Sequence, residues 1–238
     1  MLTVNLDMKP AQFERAGIWR EIFAAALTLT DHLATVVRNP TWSFGGGTVL
    51  MLRINHRHSK DVDLFVPDPQ YLGYFSPRLT EAAEALTTQY EEAAEYLRLV
   101  LPIGEIDIVV GTPLTEHPWE LIMFEGRTIR VESCAEIIAK KMWHRGDKAK
   151  ARDLFDLCAV ADLEPEAIDA ARPFFGRHAQ AFMARLTEYR DFSEGEFEMI
   201  DRIDYARPFK ECLELARHIL LGAGDPAAAK VDATQPKL

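Results

Sequence analysis

Residues 45–66 read Gly-Gly-Gly-Thr-Val-Leu-Met-Leu-Arg-Ile-Asn-His-Arg-His-Ser-Lys-Asp-Val-Asp-Leu-Phe-Val. The glycines form a turn, Thr48 to about Ile54 carries an apolar helical run, and Asp61–Val66 alternates as a strand closed by Pro67-Asp68-Pro69. Side chains two apart on a strand share a face, so Asp61 and Asp63 point to one spot while Val62 and Leu64 face the core. Two adjacent carboxylates repel unless a cation lies between them, and hard oxygen ligands suit Mg²⁺. Upstream, Gly46-Gly47-Thr48 lets the backbone approach an anion closely, with helix-start amides and a hydroxyl as donors. Each motif has a plain alternative: a solvated strand edge for the acids, a simple turn for the glycines. Together they give a phosphate cradle followed by a metal-binding strand, the order phosphoryl transfer needs.

Working outward, Pro10 precedes a helical pattern from about Ala11 to Val37, which Asn39-Pro40 stops before a short extended Trp42-Ser43-Phe44. Residues 71 to 95 read as mostly helical. Tyr96–Leu101 and Glu105–Val110 alternate around Pro102-Ile103-Gly104, which predicts a β-hairpin. Gly126 opens a strand from Arg127 to Val131. From Glu132 the pattern is helical nearly to Leu221, with breaks near Gly146, Pro165, Pro173, Gly195 and Pro208. The expected fold is α+β: a mixed sheet with flanking helices over 1–131, a helical bundle over 132–222, and a flexible Ala/Gly/Pro/Lys-rich tail over 223–238.

Of 238 residues, 48% are hydrophobic and 27% charged, the composition of an ordinary globular chain. The longest apolar runs, such as Phe23–Leu29, are too short to span a bilayer, and the basic, apolar start of a signal peptide is absent. Cys134, Cys158 and Cys212 stand apart in no metal spacing, which suits a reducing, cytoplasmic setting. The net charge of −10 argues against a generally basic nucleic-acid coat. The cations are concentrated, however: Lys140 to Arg152 holds six basic residues and one acid, Asp147, and Arg53, Arg57 and Lys60 precede Asp61. Such knots suit a local anionic ligand or a solvated helix face.

On the second hairpin strand Asp107 is flanked by Ile106 and Ile108, and a carboxylate in an apolar strand is costly unless paired or metal-bound. Asp107 is the candidate base or second-metal ligand, with Glu105 competing on the same face. His56, His58 and His144 fit no zinc spacing; His56 and Arg57 fit the phosphate side of a pocket. Phe174, Phe175, Phe182 and Tyr189 recur at helical spacings and read as core.

Gly46-Gly47-Thr48 with His56-Arg57-x-Ser59-x-Asp61-Val62-Asp63-Leu64-Phe65 resembles the first signature of the AbiEii/AbiGii toxin-type nucleotidyltransferases, within the polymerase-β-like superfamily. Glu136-Ile137-Ile138-Ala139-x-Lys141-Met142 and Arg152-Asp153-Leu154-Phe155-Asp156-Leu157 resemble that family's lysine helix and its second motif. The resemblance spans about Phe44 to Leu157. It implies a nucleotidyltransferase fold, transfer of a nucleoside monophosphate from an NTP, and Mg²⁺ (or Mn²⁺) dependence. It also implies the toxin role of a toxin–antitoxin pair, with an antitoxin partner and RNA, especially tRNA, as acceptor. Carried onto this chain, Asp61 and Asp63 bind metal with Asp107, and Gly46, Gly47 and Thr48 hold the triphosphate. Lys141 contacts the nucleotide phosphates, Asp153 and Asp156 complete the site, and Arg57, Ser59 and Arg152 join the nucleotide-binding set. Gly45 lengthens the glycine run, and Lys140 beside Lys141 leaves two lysines to choose between. Arg152 and Asp156, four apart on a helix, are expected to pair.

Two other readings stand beside this one. A catalytically degenerate nucleotidyltransferase fold would bind only nucleotide or RNA. A D-x-D glycosyltransferase needs a longer run of alternating strands and helices than this chain offers.

Overall fold

The structure, a computed structural model, describes residues 11–222. Pro10 and the tail expected over 223–238 lie outside the described residues. In chain order the elements are α1 (Trp19–Val36), β1 (Ser43–Gly45), α2 (Gly46–Ile54), β2 (Val62–Val66), α3 (Leu72–Phe75), α4 (Glu81–Glu84) and β3 (Tyr90–Glu92). Then come β4 (Tyr96–Leu101), β5 (Gly104–Val110), β6 (Trp119–Phe124), β7 (Arg127–Glu132) and α5 (Cys134–Arg145). The chain continues through α6 (Ala151–Leu163), α7 (Pro165–Ala171), α8 (Ala179–Glu188), α9 (Arg190–Glu198) and α10 (Phe209–Leu221), with short 3₁₀ turns between some of them.

The strands form one mixed sheet in the order β3-β4-β5-β2-β1-β7-β6. β2 runs parallel to β5 and β1 parallel to β7, while the remaining neighbours are antiparallel. Alternation on β2 and β5 sorts the side chains: Val62, Leu64, Val66, Ile106 and Ile108 are buried. Their odd-numbered neighbours Asp63, Phe65 and Asp107 are only partly covered, on the opposite face. α1 packs against the buried side, where Phe23 stacks on Phe44 at 4.3 Å between ring centroids and Phe13 sits 5.0 Å from Phe124. The predicted α+β layout is therefore present, a sheet with flanking helices followed by helices from Cys134 to Leu221.

Three sequence expectations need correction. The first helix starts only at Trp19, because Gln12 donates its N–H to Leu52 O (2.8 Å) and Phe13 folds back onto the core. Residues 71–95 are not mostly helical: Ser76-Pro77 ends α3 after one turn, and Tyr90–Glu92 pairs with β4 as an edge strand. Of the four aromatics read as core, Phe175 and Phe182 are buried, but Tyr189 is 57% exposed.

Candidate active site

The glycine turn and the strand carboxylate meet directly. β1 pairs with β2 so that Gly45 lies opposite Asp63. Gly46 follows with φ 71°, in the left-handed region, and a Cβ built there would collide with the Asp63 carboxylate. Glycine thus does two jobs at one position, accepting the backbone angle and leaving room for an acid. At Gly47 the nearest groups are Arg57 Nη2 and Ser59 Oγ, 2.7 and 3.1 Å from where a Cβ would stand. Thr48 is fully buried; its hydroxyl donates to the Asp61 carbonyl (2.6 Å) and lies 3.1 Å from Ser59 Oγ. That hydroxyl staples the start of α2 to the loop that delivers the acids.

Parallel pairing of β2 and β5 sets Asp63 beside Asp107. The two carboxylates differ in company. Arg98, opposite Asp107 on β4, grips it with Nε–Oδ1 at 2.8 Å and Nη2–Oδ2 at 3.1 Å, and also lies 3.2 Å from Glu105. This bidentate bond raises the Arg98 pKa above its ordinary value. Asp61 precedes β2, and its Oδ1 accepts the Glu105 N–H at 3.1 Å. The Asp63 side chain makes no hydrogen bond or ion pair among the described residues. Burial, reinforced by the charge of Asp107, pushes its pKa up to about 6, with Arg145, Lys141 and Arg152 pulling the other way. The described residues contain no group of three or more His, Cys, Asp or Glu side chains gathered to hold a metal ion. What they do contain is one unpaired, partly covered carboxylate beside a second one. This fits a divalent cation that takes one or two protein oxygens and completes its shell from a phosphate and water.

The opposite wall comes from α5 and α6. Lys141 Nζ bridges Asp153 Oδ1 (2.6 Å) and Asp156 Oδ2 (2.9 Å), and Arg145 adds a bond to Asp153 at 2.9 Å. Asp156 is fully buried and also receives Arg57 through Nε (2.6 Å) and Nη2 (3.0 Å), plus His56 Nε2 at 2.8 Å. Burial penalises both aspartates, yet Arg57 and Lys141 outweigh it at Asp156, and Lys141 and Arg145 at Asp153. Both pKa values fall below the usual carboxylate range. Burial lowers His56, which is 0% exposed and reaches Asp156 rather than a pocket, contrary to expectation. The expected Arg152–Asp156 pair is also absent. Asp156 is saturated by cations from other elements in a desolvated spot, and Arg152 projects into solvent. The two adjacent lysines diverge. Lys140 is buried against Glu132 (2.6 Å) and Glu136 (3.3 Å), with its ammonium 3.9 Å from the Phe65 ring centroid.

The segment carrying Arg57 is itself held by the C-terminal half. His58 N–H donates to Asp201 O (2.8 Å), Ile203 N–H to His56 O (3.0 Å) and Asp204 N–H to Asn55 O (3.1 Å). Arg57 and Arg202 form an antiparallel bridge, and the Asn55 side chain bonds Asp204. No motif foretold this clamp. Arg98 went unnoticed as well: the turn is only Pro102-Ile103, which sets Arg98 across from Asp107, whereas the expected three-residue turn would set it across from Ile108.

Acids on the sheet thus face cations on the helices, with a glycine turn between them, as in enzymes that hold a nucleoside triphosphate while its phosphorus is attacked. The class this layout defines is that of the nucleotidyltransferases. The family described as Nucleotidyl transferase AbiEii toxin, Type IV TA system, matches residues 28–233, and the chain belongs to it. No curated protein matches the sequence. Among solved structures, a nucleotidyltransferase candidate from Helicobacter pylori is 15% identical with a TM-score of 0.48, covering 94% of this chain and 100% of that one. JHP933 from Helicobacter pylori is 17% identical (TM-score 0.46), covering 92% of this chain and 98% of its own. A STING-associated CdnE c-di-GMP synthase from Capnocytophaga granulosa is 11% identical (TM-score 0.31), covering 86% and 79%. No helix among the described residues is long and apolar enough to cross a membrane.

Proposed function

We propose that this protein transfers a nucleoside monophosphate from an NTP, bound with Mg²⁺ or Mn²⁺, to an acceptor hydroxyl on RNA, tRNA being the favoured class. The observation that carries the reading is the placement of Asp63, a partly buried carboxylate without a partner, against Gly46 and beside Asp107. Bound there, the cation would neutralise phosphate charge and polarise the α-phosphorus. Asp63, with Asp61 or Asp107, would hold it. The Gly46–Gly47 backbone, Arg57 and Ser59 would cradle the triphosphate. Lys141, Arg145 and Arg152 would stabilise the charge that builds on the leaving pyrophosphate.

For Lys141 this requires sharing. Its ammonium has three donors, two already committed to Asp153 and Asp156, so one is left for a phosphate oxygen. The two aspartates hold the lysine in position while Arg57 links Asp156 to the glycine turn. Asp107, held by Arg98, would receive the proton of the attacking hydroxyl or take a second cation. The helical residues 132–222 act as the second wall of the cleft. In the cell the protein is a cytoplasmic toxin restrained by an antitoxin.

Pure protein, each α-labelled NTP and total cellular RNA, with and without Mg²⁺, test this reading. Label should enter RNA only with the cation and should vanish with Asp63→Asn. Transfer that survives that substitution would remove the central assignment. Growth arrest on expression, lost in the same variant, tests the toxin role.

A further inference from the structure

The basic run from Lys140 to Arg152 divides in three dimensions. Lys140 and Lys141 turn inward to carboxylates, and Arg145 is shared with Asp153. Lys148, Lys150 and Arg152 are exposed and make no ion pair among the described residues. The fold then enlarges this group. α8 packs on the 3₁₀ turn Gly146–Lys148, with His178 against Gly146, and Arg185 Nε donates to Ala149 O at 3.3 Å. Arg177 lies 5.0 Å over the ring of Trp143, on the α5 turn just before Arg145. Asp147 is the single acid in residues 140–152. A chain of net charge −10 therefore carries a ridge of six cations (Arg145, Lys148, Lys150, Arg152, Arg177 and Arg185) built from α5, the turn after it, α6 and α8, and Arg145 joins it to Asp153.

We infer that this ridge is the docking surface for the phosphate backbone of the acceptor RNA, with Lys148 and Lys150 as its sequence-independent contacts. The inference rests on the transfer reaction proposed above. Unpaired surface cations gain most from a polyanion, because each neutralised phosphate releases condensed counterions. Continuity with Arg145 and Lys141 favours RNA over an acidic protein, since a strand lying along the ridge leads its hydroxyl end to the cleft. The stacked Trp143–Arg177 pair adds an aromatic and guanidinium surface of the kind bases use.

Anisotropy titrations of an end-labelled single-stranded RNA of about twenty nucleotides, over a salt series, test this. Each phosphate contact on a single strand contributes about 0.7 to the slope of log K against log salt, so Lys148→Gln/Lys150→Gln should flatten it by about 1.4. Charge reversal (Lys148→Glu/Lys150→Glu) should weaken binding tenfold or more and raise the acceptor KM, with kcat at saturating RNA and NTP·Mg²⁺ affinity unchanged. Both positions are exposed, so melting temperatures report whether the variants remain folded. RNA affinity within twofold of wild type in the charge-reversed protein would overturn the inference. So would polyglutamate binding as tightly as RNA with the same salt slope, which would mark an acidic protein as the occupant. Transfer that depends on Asp63 while the ridge variants bind RNA normally defeats this inference alone; transfer independent of Asp63 defeats the reading beneath it.

Discussion

The carboxylate of Asp63 occupies the space that a side chain on Gly46 would need. Turn and acid are therefore coupled: no side chain can be added at Gly46 without displacing the Asp63 carboxylate.

Gly46→Ala should accordingly be damaging twice over. A non-glycine residue at φ 71° carries strain of about 1–3 kcal/mol, and the new methyl group must push Asp63 off β1. Chemical denaturation should report a loss of at least that size, and activity should fall further than stability explains. A variant with wild-type stability and full transfer would show that the contact is not obligatory.

Asp63→Asn isolates the electrostatics. Asp63 has a folded pKa of about 6 against an unfolded value near 3.8, so the folded state binds its proton more tightly. The sign follows: the wild type loses stability relative to the asparagine variant as pH rises from about 4 to 6, and the deficit then stays constant. The two values correspond to roughly 3 kcal/mol at full ionisation. Mg²⁺ should recover part of this deficit at pH 8 and do little at pH 5, where the acid is protonated. Melting curves of both proteins at the two pH values, with and without Mg²⁺, check this; a pH-independent difference would contradict it.

Asp156→Ala leaves Arg57, Lys141 and His56 facing a buried vacancy. Removing one member of such a network costs about 3–5 kcal/mol. The depressed pKa values of Asp153 and Asp156 mean that their contribution is present above about pH 4 and disappears as pH falls through the folded values. The wild type should therefore unfold in acid over a range in which Asp156→Asn changes little, as followed by circular dichroism.

Arg152→Ala tests the exposed member of the same wall. With no ion pair to lose, stability should change by less than about 0.5 kcal/mol. The KM for NTP should rise several-fold, because Arg152 is one of the cations acting on Asp63. An unchanged KM would place Arg152 outside the nucleotide's reach.

Sequence legibility followed the period of each segment. Asp61–Val66 and the Tyr96–Val110 hairpin alternate because one face is buried and the other is only partly covered, so their strands were readable to within a residue or two. Trp119–Phe124 was not assigned, since the outward Leu121 and Met123 of this edge strand are as apolar as the inward Ile122 and Phe124, so the sequence carries no polar–apolar alternation there. Short helices α3 and α4 alternate with turns too quickly for a helical period to separate them from their loops. At the site, the glycines, the acids and Lys141 stood out as motifs. The pairings that hold them did not, because the links from Asp156 to Arg57 and from His58 to Asp201 join residues roughly a hundred or more positions apart.

That last link has a consequence for the timing of activity. Because Asn55–His58 is braced by residues 201–204, a ribosome must pass residue 204 before the segment carrying Arg57 gains this support. A fragment that ends before residue 200 lacks this brace on the segment that carries Arg57.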